Sequence, residues 1–100
     1  MNVQTVVDGD HASLTIEGRL SVTTSPDLEA EIEKLPATVS NIDFYLADLE
    51  YISSAGLRVL VTTQKIVTQR GGTMVLHNPN DEVYDVLDMT GLIDVFTIER

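Results

Sequence analysis

The chain has 100 residues, 43% of them hydrophobic, no cysteine and a formal net charge of −10. A chain of this size can bury a hydrophobic core without disulfides, and the missing thiols exclude disulfides, thiol catalysis and thiolate metal sites. The negative charge argues against binding nucleic acid or an anionic membrane through general electrostatic attraction. We therefore expect a single domain over residues 1–100 that does not bind nucleic acid.

The sequence shows no sign of membrane insertion or export. No apolar run approaches the ~20 residues that a membrane-spanning helix needs. The first residues also lack the basic and apolar regions of a signal peptide. The absence of cysteine fits a reducing compartment, so we expect a cytoplasmic protein.

The N-terminal third of the sequence predicts a β-hairpin followed by a helix. Residues 3–7 and 13–17 are strand-like, and residues 8–10 form a turn signal between them. Ser25 is the predicted N-cap of the first helix, and Pro26 is its predicted first residue. The apolar stripe of this helix consists of Leu28, Ile32 and Leu35, and Pro36 ends it.

The rest of the sequence predicts an alternation of strands and helices. Gly71 and Gly72 stand where a glycine typically ends the second helix, and Gly91 does so for the third. Strands joined by helical crossovers pair in parallel, so we expect a mixed sheet within an α/β layer sandwich. The predicted strands are residues 42–46, 73–77 and 95–98, and the predicted helices are residues 54–69 and a helix that starts within residues 78–81.

The most informative segment is residues 51–60, YISSAGLRVL, at the junction of a strand-like run and the second helix. With Ser53 as N-cap, Ile52 and Leu57 take the two positions of a hydrophobic staple. Ser54 is then the first helical residue, exposed beside small neighbours, where the helix dipole tolerates a phosphate. Helix capping alone also explains a pair of serines here, so the pattern leaves both roles open.

The exposed face of the second helix is the next feature. Arg58, Thr62 and Lys65 fall at i, i+4 and i+7, so they share one side of the helix. Arg58, Lys65 and Arg70 make up half of the six basic residues in the chain. A solvated helix face explains this pattern, and a partner-docking face beside Ser54 is the alternative.

The sequence also allows the interpretation that the protein is a small hydrolase. In a parallel sheet Ser54 and His77 lie at the same edge, which allows a Ser-His pair. The Gly-x-Ser-x-Gly elbow is missing, however, and so is a phosphate-binding P-loop. His11 is predicted in a turn and is far from His77 in sequence, which gives little support to a metal site. We therefore expect a protein that is not an enzyme and has no cofactor or metal.

Taken together, these segments resemble the STAS-domain anti-sigma factor antagonists, also called anti-anti-sigma factors. The resemblance covers nearly the whole chain and rests mainly on residues 48–60, DLEYISSAGLRVL. Residues 18–20 (GRL), 70–72 (RGG) and 89–92 (MTGL) support it. It implies a mixed sheet of four or five strands with an N-terminal hairpin, covered by about three to four helices.

The resemblance also implies a mechanism of partner switching. In this family the unphosphorylated antagonist binds an anti-sigma factor that is also a serine kinase, and thereby frees the sigma factor. The kinase phosphorylates the serine that matches Ser54, and a PP2C-type phosphatase removes the phosphate. The alternative within the family is a STAS scaffold or accessory subunit of a membrane transport complex without a phosphoswitch. The predicted partner-binding residues are Tyr51, Ser53, Ser54, Gly56, Leu57, Arg58, Thr62 and Lys65.

Overall fold

The computed structural model describes residues 1–100 and contains six strands, three α-helices and one short 3-10 helix. None of the helices combines the length and apolar character needed to cross a membrane. The strands are β1 (Asn2–Asp8), β2 (His11–Leu20), β3 (Asn41–Tyr45), β4 (Leu49–Ile52), β5 (Met74–His77) and β6 (Thr97–Glu99). The helices are α1 (Ser25–Glu33), α2 (Ser54–Gln69) and α3 (Asp81–Met89), and the 3-10 helix is Leu92–Asp94.

The strands form one mixed sheet, as predicted. Its order is β1-β2-β3-β5-β6, and β4 pairs with β2 outside this path. The N-terminal hairpin β1–β2 is antiparallel, and every other pair of strands is parallel. The sheet has six strands and not four or five, because β4 is a strand that the sequence analysis did not assign.

The long strand β2 pairs with two different strands along its length, first with β3 and then with β4. Residues 11–15 pair with β3, and residues 18–20 pair with β4 after a register shift between Gly18 and Arg19. Gly18 has a φ of +94°, which glycine adopts far more readily than other residues, and its N–H donates to the carbonyl of Asp48 at 3.0 Å. This irregularity lets β4 align with the end of β2, next to the start of α2.

The hydrophobic core lies on one face of the sheet. Alternate residues of the central strands are buried, so the period-2 pattern of the sequence is expressed in the fold. Helix α2 contributes Leu57, Leu60 and Val67 to the same core. The buried strand residues are Ala12, Leu14 and Ile16 of β2, Ile42 and Phe44 of β3, and Met74 and Leu76 of β5.

The start of α1 differs from the prediction. Thr24 occupies the N-cap position, Ser25 is already helical, and Pro26 is the second helical residue. Ser25 is buried and its hydroxyl donates to the carbonyl of Val22 at 3.3 Å. The Thr24 hydroxyl donates to the carbonyl of Arg19 at 2.8 Å. The side chain of the N-cap residue is therefore bound to the turn before the helix, and it makes no capping hydrogen bond to the helix.

The ends of α2 agree with the prediction, and the last strand does not. Helix α2 spans Ser54–Gln69, and Gly71 follows it with a φ of +73°. Gly91, with a φ of +76°, follows α3 in the same way. Strand β6 starts at Thr97 and not at residue 95, because the Leu92 carbonyl accepts hydrogen bonds from the N–H groups of both Val95 and Phe96.

Candidate functional site

Ser53 caps helix α2 and fastens its first turn to the sheet. Its hydroxyl oxygen accepts a hydrogen bond from the N–H of Gly56 at 3.2 Å, as an N-cap side chain does. Its own N–H donates to the carbonyl of Leu20, the last residue of β2, at 2.8 Å. Only 7% of Ser53 is exposed. The prediction that Ser53 is the structural cap is confirmed.

Ser54 is the first residue of α2 and is exposed. Its hydroxyl forms no hydrogen bond with the rest of the chain, whereas the neighbouring Ser53 hydroxyl is engaged. The N–H groups of the first helical turn have no partners within the helix, so the local field favours negative charge. An enzyme therefore has access to the Ser54 oxygen without disturbing any internal contact.

Three of the predicted partner-binding residues are buried: Ser53, Gly56 and Leu57. Gly56 packs so closely on the sheet that a Cβ there would lie 2.6 Å from Leu20 Cγ and 3.1 Å from Ile52 Cγ1. These three residues therefore lie beneath the surface at the start of α2. They set the position of that surface and offer a partner little area for direct contact.

The other five predicted partner-binding residues are exposed, and we call them the switch face: Tyr51, Ser54, Arg58, Thr62 and Lys65. Four of them occur at i, i+4, i+8 and i+11 along α2, so they lie along one side of the helix. The two basic members form no ion pair or hydrogen bond within the chain. Arg70, the third basic residue of this region, differs, because its Nη1 donates to the carbonyl of Val39 at 2.7 Å.

Arg19 is a further residue of this region that the sequence analysis did not place there. The register of β2 and β4 sets Arg19 opposite Tyr51, and its guanidinium carbon lies 4.3 Å from the centre of the Tyr51 ring. Such a cation–π contact holds both side chains in place at the edge of the switch face. The two residues are far apart in sequence and meet only through the unassigned strand β4, so no local pattern could indicate the pair.

The geometry around His77 does not form a Ser-His catalytic pair. His77 Nε2 lies 2.8 Å from Asp43 Oδ1, and its Nδ1 lies 3.3 Å from Glu99 Oε2. Its ring also stacks on Tyr45, with centroids 4.7 Å apart. Both ring nitrogens thus face carboxylates, and no hydrogen bond joins His77 to Ser54.

His11 belongs to the same cluster as His77, so the prediction that it lies in a turn is wrong. His11 is the first residue of β2 and not part of a turn, and its Nε2 lies within hydrogen-bond distance of the other carboxylate oxygen of Asp43. His11 and His77 therefore flank one carboxylate on the sheet face opposite the core, although 65 residues lie between them in the sequence. Strand pairing through β3 brings them together, which sequence distance does not reveal.

Comparison with known proteins identifies the family of this arrangement. The sequence model of the family described as the STAS domain matches residues 2–100. The chain is 30% identical over 98 residues to the anti-sigma-B factor antagonist of Bacillus subtilis, an alignment that covers 98% of this chain and 90% of that protein.

Solved structures with the same fold extend this finding. The crystal structure of TM1081 from Thermotoga maritima has a TM-score of 0.89 at 24% identity, covering 98% of this chain and 86% of that one. The Bacillus cell fate determinant SpoIIAA in its phosphorylated form has a TM-score of 0.76 at 18% identity, covering 99% and 92%. These similarities confirm the predicted type of fold.

Proposed function

The chain belongs to the STAS domain family, and we propose that it is an anti-sigma factor antagonist that acts by partner switching. When Ser54 carries no phosphate, the switch face binds an anti-sigma factor that is also a serine kinase. Phosphorylation of Ser54 by that kinase releases the chain, and a PP2C-type phosphatase restores binding. The chain itself acts as a binding module and not as an enzyme.

The observation that carries the proposal is the contrast between the two serines at the start of α2. The Ser53 hydroxyl is engaged in the cap and nearly buried, whereas the Ser54 hydroxyl is exposed and free of internal contacts. Only Ser54 can therefore be modified without loss of a structural hydrogen bond. Its position also meets the stereochemical need of a kinase, which requires an accessible hydroxyl.

Electrostatics explains how one phosphate separates the partners and leaves the fold intact. A phosphoserine carries a charge of about −1.5 to −2, and the N-terminus of a helix stabilises such a charge. In a protein interface the same group loses its hydration, and this costs more than the interface regains because Arg58, the cation one turn along α2, is already engaged by the partner in the proposed complex. The folded state therefore tolerates the phosphate, while the complex does not.

The similarity to known proteins supports the same function. The Bacillus subtilis relative is named an anti-sigma-B factor antagonist, and its alignment includes nearly all of this chain. The fold neighbour SpoIIAA has been solved in a phosphorylated form. The accessible acceptor at Ser54 favours this switch over a constitutive scaffold within a transport complex, because a scaffold has no need for it.

Ser54→Asp tests the switch directly. We expect this variant to bind the cognate anti-sigma factor kinase about 100-fold more weakly than the wild type in calorimetry, since a buried unpaired charge costs about 2 to 5 kcal/mol. Incubation of the wild type with the kinase and ATP should give one phosphopeptide, modified at Ser54. Ser54→Ala should bind as the wild type does and accept no phosphate.

Thr68→Asp is the matched control, since it makes the same change of charge at an exposed position near the other end of α2. It should leave the affinity for the kinase unchanged. The proposal is wrong if Ser54→Asp binds as tightly as Thr68→Asp, or if the kinase leaves Ser54 unmodified while modifying another residue.

A further inference from the structure

The basic residues of the chain differ in whether they have an internal partner. Four of the six bind a carboxylate, a carbonyl or an aromatic ring: Arg19, Lys34, Arg70 and Arg100. Arg58 and Lys65 form no ion pair or hydrogen bond, although the chain carries 16 carboxylate side chains. The sequence of α2, SAGLRVLVTTQKIVTQ, contains no Asp or Glu, so neither cation has a carboxylate on its own helix. Arg58 is therefore free to pair with an anion that reaches this part of α2.

Arg58 stands one helical turn after Ser54, on the same side of α2. Residues at i and i+4 of a helix have Cβ atoms about 5 to 6 Å apart, and helical side chains lean toward the N-terminus. The residues next to Ser54 on the C-terminal side, Ala55 and Gly56, are too small to separate the two side chains. A group attached to the Ser54 oxygen thus lies within reach of the Arg58 guanidinium.

A phosphate on the Ser54 oxygen changes what Arg58 can bind. The unmodified hydroxyl is a neutral acceptor, and it forms no hydrogen bond with Arg58. A phosphoserine carries a charge of about −1.5 to −2 and three acceptor oxygens, which match the planar fork of a guanidinium. The order of the two residues is also favourable, because an anion four residues before a cation gives the stronger helical pair.

We propose that Arg58 is the internal counter-ion of a phosphoserine at position 54. This inference rests on the function proposed above, since that function places the phosphate on Ser54. Arg58 then has two roles: it binds the partner when Ser54 is unmodified, and it binds the phosphate when Ser54 is modified. Phosphorylation thus adds an anion to the switch face and also removes one of the two free cations of that face.

The ion pair predicts how the phosphate titrates. The second ionisation of a phosphoserine has a pKa of about 6. A neighbouring guanidinium favours the dianion over the monoanion, so Arg58 should lower the pKa of the phosphate. For an exposed pair we expect the midpoint to lie about 0.2 to 0.7 lower in pH than it does without Arg58. The difference should shrink in about 1 M sodium chloride, which screens exposed charges.

Phosphorus NMR of the full chain with phosphoserine at position 54 tests the proposal. The phosphoserine is incorporated during translation, so the result does not depend on any kinase. Arg58→Gln should raise the titration midpoint of the phosphate by the amount given above. Arg58→Lys should restore part of the lowering, because it keeps the charge and loses the fork. Arg70→Gln is the matched control: it makes the same change 16 residues after Ser54, about 24 Å along the helix, and should leave the midpoint unchanged.

The arginine side chains give a second measurement. The chain has four arginines, and each contributes one Nε–H resonance to a nitrogen–proton spectrum. Incorporation of the phosphoserine should shift the resonance that is missing from Arg58→Gln, and the resonance of Arg70 should stay in place.

The proposal is wrong if Arg58→Gln and Arg70→Gln give the phosphate the same midpoint, or if the Arg58 resonance does not move. These outcomes are separate from a failure of the function proposed above. That function fails if the phosphorylated and unmodified chains bind the kinase equally well, whatever the phosphate titration shows.

Discussion

The two ends of helix α2 are held by different kinds of contact, the N-terminal end against the sheet and the C-terminal end against Ser40, the residue just before β3. At the N-terminal end, a hydrogen bond from Ser53 to Leu20 and a side-chain cap fix the helix, and Ser54 projects free above them. At the C-terminal end the backbone itself makes the contact. A Cβ on Gly72 would lie 1.6 Å from the carbonyl oxygen of Ser40, so no side chain fits there.

This difference shows how one helix serves both stability and binding. At the C-terminal end, Gly72 cannot take a side chain, because its backbone lies directly against the backbone of Ser40. The N-terminal end is held by the buried residues Ser53, Gly56 and Leu57, and Ser54 between them is exposed and free to carry a phosphate. We therefore expect variants at the C-terminal end to alter the free energy of unfolding and variants on the switch face to alter affinity.

Gly72→Ala should have the largest effect on stability. The added methyl group overlaps the Ser40 carbonyl, and relief of this overlap requires movement of the backbone, so we expect a loss of about 3 kcal/mol in the free energy of unfolding. Urea denaturation followed by circular dichroism measures it. Gly71→Ala is the control, since only its positive φ is strained, and it should cost about 1 kcal/mol. Equal losses would show that the Ser40 contact is unimportant.

Ser53→Ala should have an intermediate effect. It removes the cap on the Gly56 N–H and should lower the free energy of unfolding by about 1 kcal/mol. Ser54→Ala, one residue further on, should change it by less than about 0.5 kcal/mol, because no internal contact is lost. Thermal unfolding of the two variants gives the comparison. If Ser54→Ala proved the more damaging one, the assignment of the two serines would be reversed.

The smallest expected effects separate two arginines of the same helix region. Arg70→Gln loses the hydrogen bond to Val39, at an exposed position, and should cost about 0.5 to 1 kcal/mol. Arg58→Gln loses no internal contact and should leave the unfolding curve unchanged. In binding to the kinase we expect the reverse order, with Arg58→Gln about tenfold weaker and Arg70→Gln unaffected. Equal affinities of both variants for the kinase would show that Arg58 does not contribute to binding.

Local sequence signals predicted the two ends of helix α2 correctly. A helix cap depends on residues within one turn, so the start of α2 at Ser54 and the roles of its two serines were readable. The glycine after α2 was readable for the same reason. Strand β4 was missed because its burial does not alternate: Leu49 and Ile52 are buried and the two residues between them are exposed.

The sequence by itself determined the order of most elements, the cap, the exposed serine and the resemblance to a family. Only the tertiary structure decided which distant residues meet: Arg19 with Tyr51, Gly72 with Ser40, and the two histidines with Asp43. The physical reason is that capping and helix periodicity act over a few residues, whereas strand pairing joins segments through register. Register follows from burial of the whole sheet face, which no short pattern encodes.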